Sequence, residues 1–298
     1  MASAKSIKWL AALVVGFNLV IVTVVLLGGP SKPKTPPLPN PNGYDDFLKA
    51  GQMLVSSSGW ASNGISREDL RAIAAQNMPA IETMRKGLNH ECRVPIEYST
   101  NYGSSHWTDL GRLKWLAVAL RDEGQLAEME GRTNDALRTY LEVVRFGHEI
   151  GRGGYLSDYL VAIACQSIGT GALQSLIPSL DARQCRAAIQ ELTALEDKRG
   201  TSGQALQREK DWSFHSFGLM KRIGVAIQTR SLDPFIFNKV SQNFDTKDKK
   251  IRKQALLAMI ALATRAYELE KGKPPASSAD LFRLTSKKFL EILSPERT

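Results

Sequence analysis

Metal-binding side chains are scarce: the 298 residues contain three cysteines and four histidines. Cys92, Cys165 and Cys185 lie far apart and form no CxxC or Cys/His pattern, which excludes a zinc centre of the usual spacings. One disulfide with a thiol left over is open to a chain outside the cytoplasm, and three buried free thiols are the alternative. Alternating apolar and polar positions are lacking as well, so no sheet is expected. Without strands, no glycine-rich loop is placed to cradle a phosphate, and no cofactor is expected. Asp211, Ser213, His215 and Ser216 crowd into one short stretch, whereas a catalytic triad needs residues converging from separate elements.

What the chain does have begins with an uncharged run, Trp9–Leu27, in which only Asn18 and Thr23 are polar. At 1.5 Å per residue it spans a hydrocarbon core of about 30 Å. Trp9 sits at the interfacial position, and Lys5 and Lys8 precede it with no acid, which places the N-terminus in the cytoplasm. A cleaved signal peptide is the rival reading, but the run is longer than a usual signal core and Leu27-Gly28-Gly29-Pro30 is a poor cleavage site. The expected division is a leader 1–8, a transmembrane anchor 9–27, a proline-rich linker 28–43 and a helical ectodomain 44–298. The linker, GGPSKPKTPPLPNPNG, favours extended polyproline II and acts as a semi-rigid spacer.

From Tyr44 on, the apolar spacing is helical and predicts an all-α, solenoid-like ectodomain of about eight helices. Ser66 reads as one N-cap and Asn77 with Pro79 as a second helix start. His90–Ser105 reads as a loop, followed by a long helix from about Thr108 to Glu130. Tyr159–Leu180 carries no charge, but Gln166, Gln174, Pro178 and the small residues around Gly169 favour a buried central helix over a second span. Asp181 caps the next helix, and Thr201–Arg230 reads as basic and amphipathic. Ser231–Phe244 reads as irregular, and a last long helix runs from Asp245 to a stop at Lys271-Gly272.

Gly124, Gly131, Ala136 and Tyr140 fall at the spacings of a tetratricopeptide unit, which the stretch Gly131–Tyr140 resembles in its turn and second helix. Small residues there let two antiparallel helices approach while Tyr140 fills the space beside them. The unit departs at Leu120, where an aromatic is usual, and at His148, where a proline usually ends it. The tail, Arg265–Pro275 and then Ala279-Asp280-Leu281, is similar to the segment after the long helix of pseudopilins. With the anchor and the hairpin, the layout resembles a group of uncharacterised membrane-anchored helical proteins of planctomycete and verrucomicrobial bacteria. That resemblance implies a helical fold and no activity.

Charge is uneven: residues 199–298 hold 19 of the 39 basic side chains and 10 of the 30 acidic ones. Lys247, Lys249, Lys250, Arg252 and Lys253 form the densest group, suited to an acidic partner or to anionic headgroups. The expected function is an interaction or scaffold protein of the cell envelope, with the bilayer, an unknown protein or an anionic envelope polymer as partner and no nucleic acid. The alternative is an envelope enzyme, such as a glycan hydrolase using two of Glu123, Glu128 and Glu130. His90, Glu91 and Cys92, with His106 nearby, make a poor metal site, because adjacent residues do not surround one ion. Reporter fusions after residues 45 and 298 should both read as extracytoplasmic; a mature chain starting near Gly29 would remove the anchor.

Overall fold

The computed structural model describes residues 33–55, 65–216 and 235–281. The leader, the apolar run Trp9–Leu27, the first part of the linker and residues 217–230 of the Thr201–Arg230 stretch lie outside the described residues. Every element within them is helical: α1 (Gly43–Met53), α2 (Arg67–Leu88), α3 (Thr100–Met129), α4 (Thr133–Ile150), α5 (Leu156–Leu176), α6 (Ala182–Asp197), α7 (Ser202–Ser216), α8 (Phe235–Lys271) and α9 (Ser278–Leu281). A single 3-10 turn, Ile177–Ser179, extends α5 around Pro178.

Local chemistry starts and stops these helices. Ser66 accepts from the Asp69 amide, and Asp181 and Gln184 bond reciprocally at 2.7 Å as a capping box. Gly272, at φ +67°, ends α8 in the left-handed region that glycine reaches without strain.

Three boundaries differ from the sequence reading. Asn77 and Pro79 start no helix, because α2 is continuous through Pro79. The Asn77 side chain bonds elsewhere: Nδ2 donates to Ile73 O within α2, and Oδ1 accepts from Val55 N outside it. The long helix begins at Thr100, well before Thr108, because Ser99 Oγ caps the Tyr102 amide and Tyr102 stacks on buried His106. Phe235–Phe244 is helical rather than irregular, since no proline or glycine interrupts α8 between Pro234 and Gly272 and asparagine costs little in a helix interior.

Two apolar clusters make up most of the core. One joins Tyr44, Phe47, Ile81, Met84, Leu116 and Phe146, with Phe47 and Phe146 edge-to-face at 5.0 Å. The other joins Leu141, Leu173, Ile189, Leu192, Met259 and Leu262. Each large side chain so buried contributes about 1.5–3 kcal/mol. α4 and α5 supply residues to both clusters and form the most extensive helix pair. By length and composition, Leu156–Ser179 is also long and apolar enough to cross a membrane. It packs against α3, α4 and α8 and carries the buried polar residues Asp158, Gln166 and Thr170.

Missing side chains set the helix spacing. A Cβ on Gly124 would run into the Tyr140 ring, so Tyr140 lies against bare backbone of α3 while its hydroxyl donates to Glu128 at 2.9 Å. Ala136 is fully buried beside them, and Gly131, at φ +73°, makes the turn between α3 and α4. Between α4 and α5, a Cβ on Gly169 would stand 2.8 Å from the Val144 amide nitrogen. Gly169→Ala should therefore lower stability by about 1–3 kcal/mol in chemical denaturation, because backbone must move. Gly171→Ala, on the open side of the same helix, should raise it by roughly 0.5–1 kcal/mol; equal effects would contradict this packing.

Candidate functional site

α4 ends in the turn Gly151-Arg152-Gly153-Gly154, and α6 ends in Lys198-Arg199-Gly200. These two turns, the segment Arg93–Ile96 and the linker residues Thr35, Pro36 and Leu38 enclose a cavity of about 520 Å³. Asn42 fixes the third wall, donating to Arg93 O at 2.9 Å and accepting from the Arg93 amide at 3.0 Å. The Val94 amide then bonds Arg152 O at 3.0 Å, tying that wall to the α4–α5 turn.

Arg93, Arg152, Lys198, Arg199 and Arg208 line the cavity, and none of its lining residues is acidic. Helix ends account for part of this, since cations are favoured at the C-termini of α4 and α6. Arg93 and Arg208 have no such local reason. Arg93, Arg152 and Arg199 each pair with a glutamate that does not line the cavity, Glu91, Glu149 and Glu196. Lys198 and Arg208 have no carboxylate within ion-pair distance among the described residues. Arg208 donates at 3.3 Å to Gly154 O, and burial together with the charge of Arg93 lowers its pKa.

The floor is formed by His148, Gln166 and Arg199, whose side chains are 6%, 4% and 3% exposed. Arg199 directs Nε to Glu196 Oε2 at 2.8 Å and Nη2 to Glu196 Oε1, which leaves Nη1 buried without a partner. Gln166 Oε1 is also buried and unpartnered. His148 Nε2 stands 3.5 Å from Glu196 Oε1 without hydrogen-bond geometry. Burial holds the His148 pKa below its ordinary value, so the ring is neutral at neutral pH.

The residues singled out in the sequence fall elsewhere. Lys247, Lys249, Lys250 and Lys253 are exposed on α8, while Arg252 is half-buried and pairs with Asp248 at 2.9 Å. Asp248 also accepts from the hydroxyl of Tyr159, a cavity residue, so the lysine-rich stretch adjoins the cavity through this link. Glu123 is held by Arg85, Glu128 by Tyr140 and Glu130 by Arg71 and Arg132, so the three carboxylates serve three separate contacts. His90 faces Asp46 at 3.0 Å and His106 faces buried Asp158 at 2.8 Å. Trp212 donates to Ser99 O and packs edge-on to Tyr155. All three cysteines are free and buried, and burial pushes the Cys185 thiol up to about 11, far from a reactive thiolate.

The sequence reading missed the cavity because its parts come from five separate stretches. The traces they left are the basic residues set among glycines at 151–154 and 198–200, and His148 in place of the helix-ending proline. No protein-family model, curated protein or solved structure matches the chain.

Burial alone would raise the Glu196 carboxyl, but the Arg199 guanidinium, bonded through Nε and Nη2 to both its oxygens, outweighs it and holds it down to about 2. A carboxyl depressed on folding adds stability above its ordinary value, and that stability disappears as the pH falls toward the folded value. Chemical denaturation should thus show a loss of about 3 kcal/mol on acidification through this window. Glu196→Gln should remove most of that pH dependence; an unchanged profile would show that the pair is not formed.

Proposed function

We propose that this chain is a tethered binding protein of the cell envelope. Its N-terminal apolar helix, Trp9–Leu27, crosses the membrane from a cytoplasmic N-terminus, and its solenoid-like helical ectodomain captures an acidic partner. The observation that carries the reading is the cavity: five cationic side chains converge on it, and two of them lack any carboxylate neighbour within ion-pair distance among the described residues. The exposed lysines of α8 lie alongside and steer the partner, a role that sets encounter rate and salt dependence more than final affinity. The resemblance of α3 and α4 to a tetratricopeptide hairpin agrees with a binding rather than a catalytic role. Glycan hydrolysis by the α3 carboxylates is the weaker reading, because Glu123, Glu128 and Glu130 are each engaged in a different contact.

The test is crosslinking and pull-down from the native membrane with the full chain as bait. A specific acidic partner should be captured at low salt and released at high salt. Arg208→Glu should abolish capture, whereas reversing Lys249 and Lys250 should slow it and blunt its salt sensitivity. Salt-insensitive capture, or turnover of wall glycan that falls when one of the α3 glutamates becomes glutamine, would reverse the assignment.

A further inference from the structure

We propose that the floor of the cavity binds a phosphate monoester, either free or at the head of a lipid. This rests on the reading of the cavity as the place of anion capture and names what is captured. Bonds are left unfinished at this floor. Arg199 Nη1, His148 Nε2 and Gln166 Oε1 are all buried without partners, and all three residues line the same space. A buried polar atom left unpaired does not recover its lost hydration, and while Tyr44 Oη and Arg265 Nε stand singly elsewhere, three fall at this one cavity. Arg199 Nη1 and the His148 ring can donate to a phosphate oxygen, and Gln166 Oε1 can accept from a hydroxyl of the esterified group.

Charge points the same way. Arg93, Arg152 and Arg199 each have a glutamate partner, so the surplus on the wall is that of Lys198 and Arg208, two positive charges. A phosphate monoester carries close to two negative charges at neutral pH, whereas a carboxylate carries one. Guanidinium groups suit its several oxygens, which accept more than one N–H each. The first turns of α7, through Gln204, Ala205 and Arg208, form part of the wall and bring the positive end of that helix to the same anion.

A cavity of about 520 Å³ is in the range of small-molecule sites and exceeds what a bare oxyanion fills. The esterified group therefore has room, and the Gln166 amide offers it a polar contact.

The experiment is calorimetric titration of the full chain in neutral detergent with three probes: glycerol 3-phosphate, glucuronate and dioctanoyl phosphatidic acid. Glycerol 3-phosphate should bind about tenfold or more tightly than glucuronate. Lys198→Met and Arg208→Met, both outside the buried floor and checked for folding by circular dichroism, should each weaken it by about tenfold. Phosphatidic acid binding much more tightly than glycerol 3-phosphate supports the proposal with a lipid as source, and equal binding supports it with a soluble ester. Glucuronate binding as well as the phosphates would overturn the phosphate assignment and leave anion capture standing. Binding of none of the three would overturn both, and phosphate binding unchanged in the two variants would move the site out of this cavity.

Discussion

The close approach of α4 and α5 is the constraint on which the rest of the molecule depends. Gly147 and Gly151 on α4 and Gly169 on α5 bring the two backbones together, so that Gly147 faces Gln166 and Gly151 faces Ala162 with no side chain between. The same pair feeds both apolar clusters, so its spacing sets how α1 to α3 sit on one side and α6 and α8 on the other. It also places His148 and Gln166, one from each helix, side by side at the cavity floor. The core and the candidate site thus share one contact, and the geometry of the site inherits the rigidity of the core.

Against that rigid background, the cavity gathers several departures from good polar matching at one place. Some buried polar groups elsewhere are fully matched, Asp158 by His106 and the Tyr155 amide and Asn77 by Val55 and Ile73, while Tyr44 Oη and Arg265 Nε are unpartnered one at a time. At the floor Arg199 satisfies only part of its donor set, and Arg208 is half-buried near another arginine with no carboxylate within ion-pair distance among the described residues. Local departures from good packing chemistry of this kind concentrate where a protein does something besides fold.

Much of the helical order was legible because its causes are local. The caps at Ser66 and Asp181 and the stop at Gly272 are written in neighbouring residues. The errors came where a distant partner decided the outcome. Asn77 resembles a cap until Val55 is seen to occupy it, and the polar stretch before Thr108 becomes helix because Tyr102 and His106 pack onto Tyr155. The site was less legible still. Its residues range from Thr35 to Arg208, and no periodicity links a glycine-flanked arginine after one helix to another after a different one. The lysine cluster of α8 was visible because it is contiguous, and contiguity is what a single sequence displays best.

The segment read as a spacer also has a second existence as a wall. Thr35, Pro36 and Leu38 line the cavity, and Arg93 reaches from inside the domain to hold Pro37 O at 3.1 Å. The segment is the part of the described domain nearest its N-terminal side. On the proposed reading, tension along the chain from that direction would reach the ligand's wall before it reaches the core.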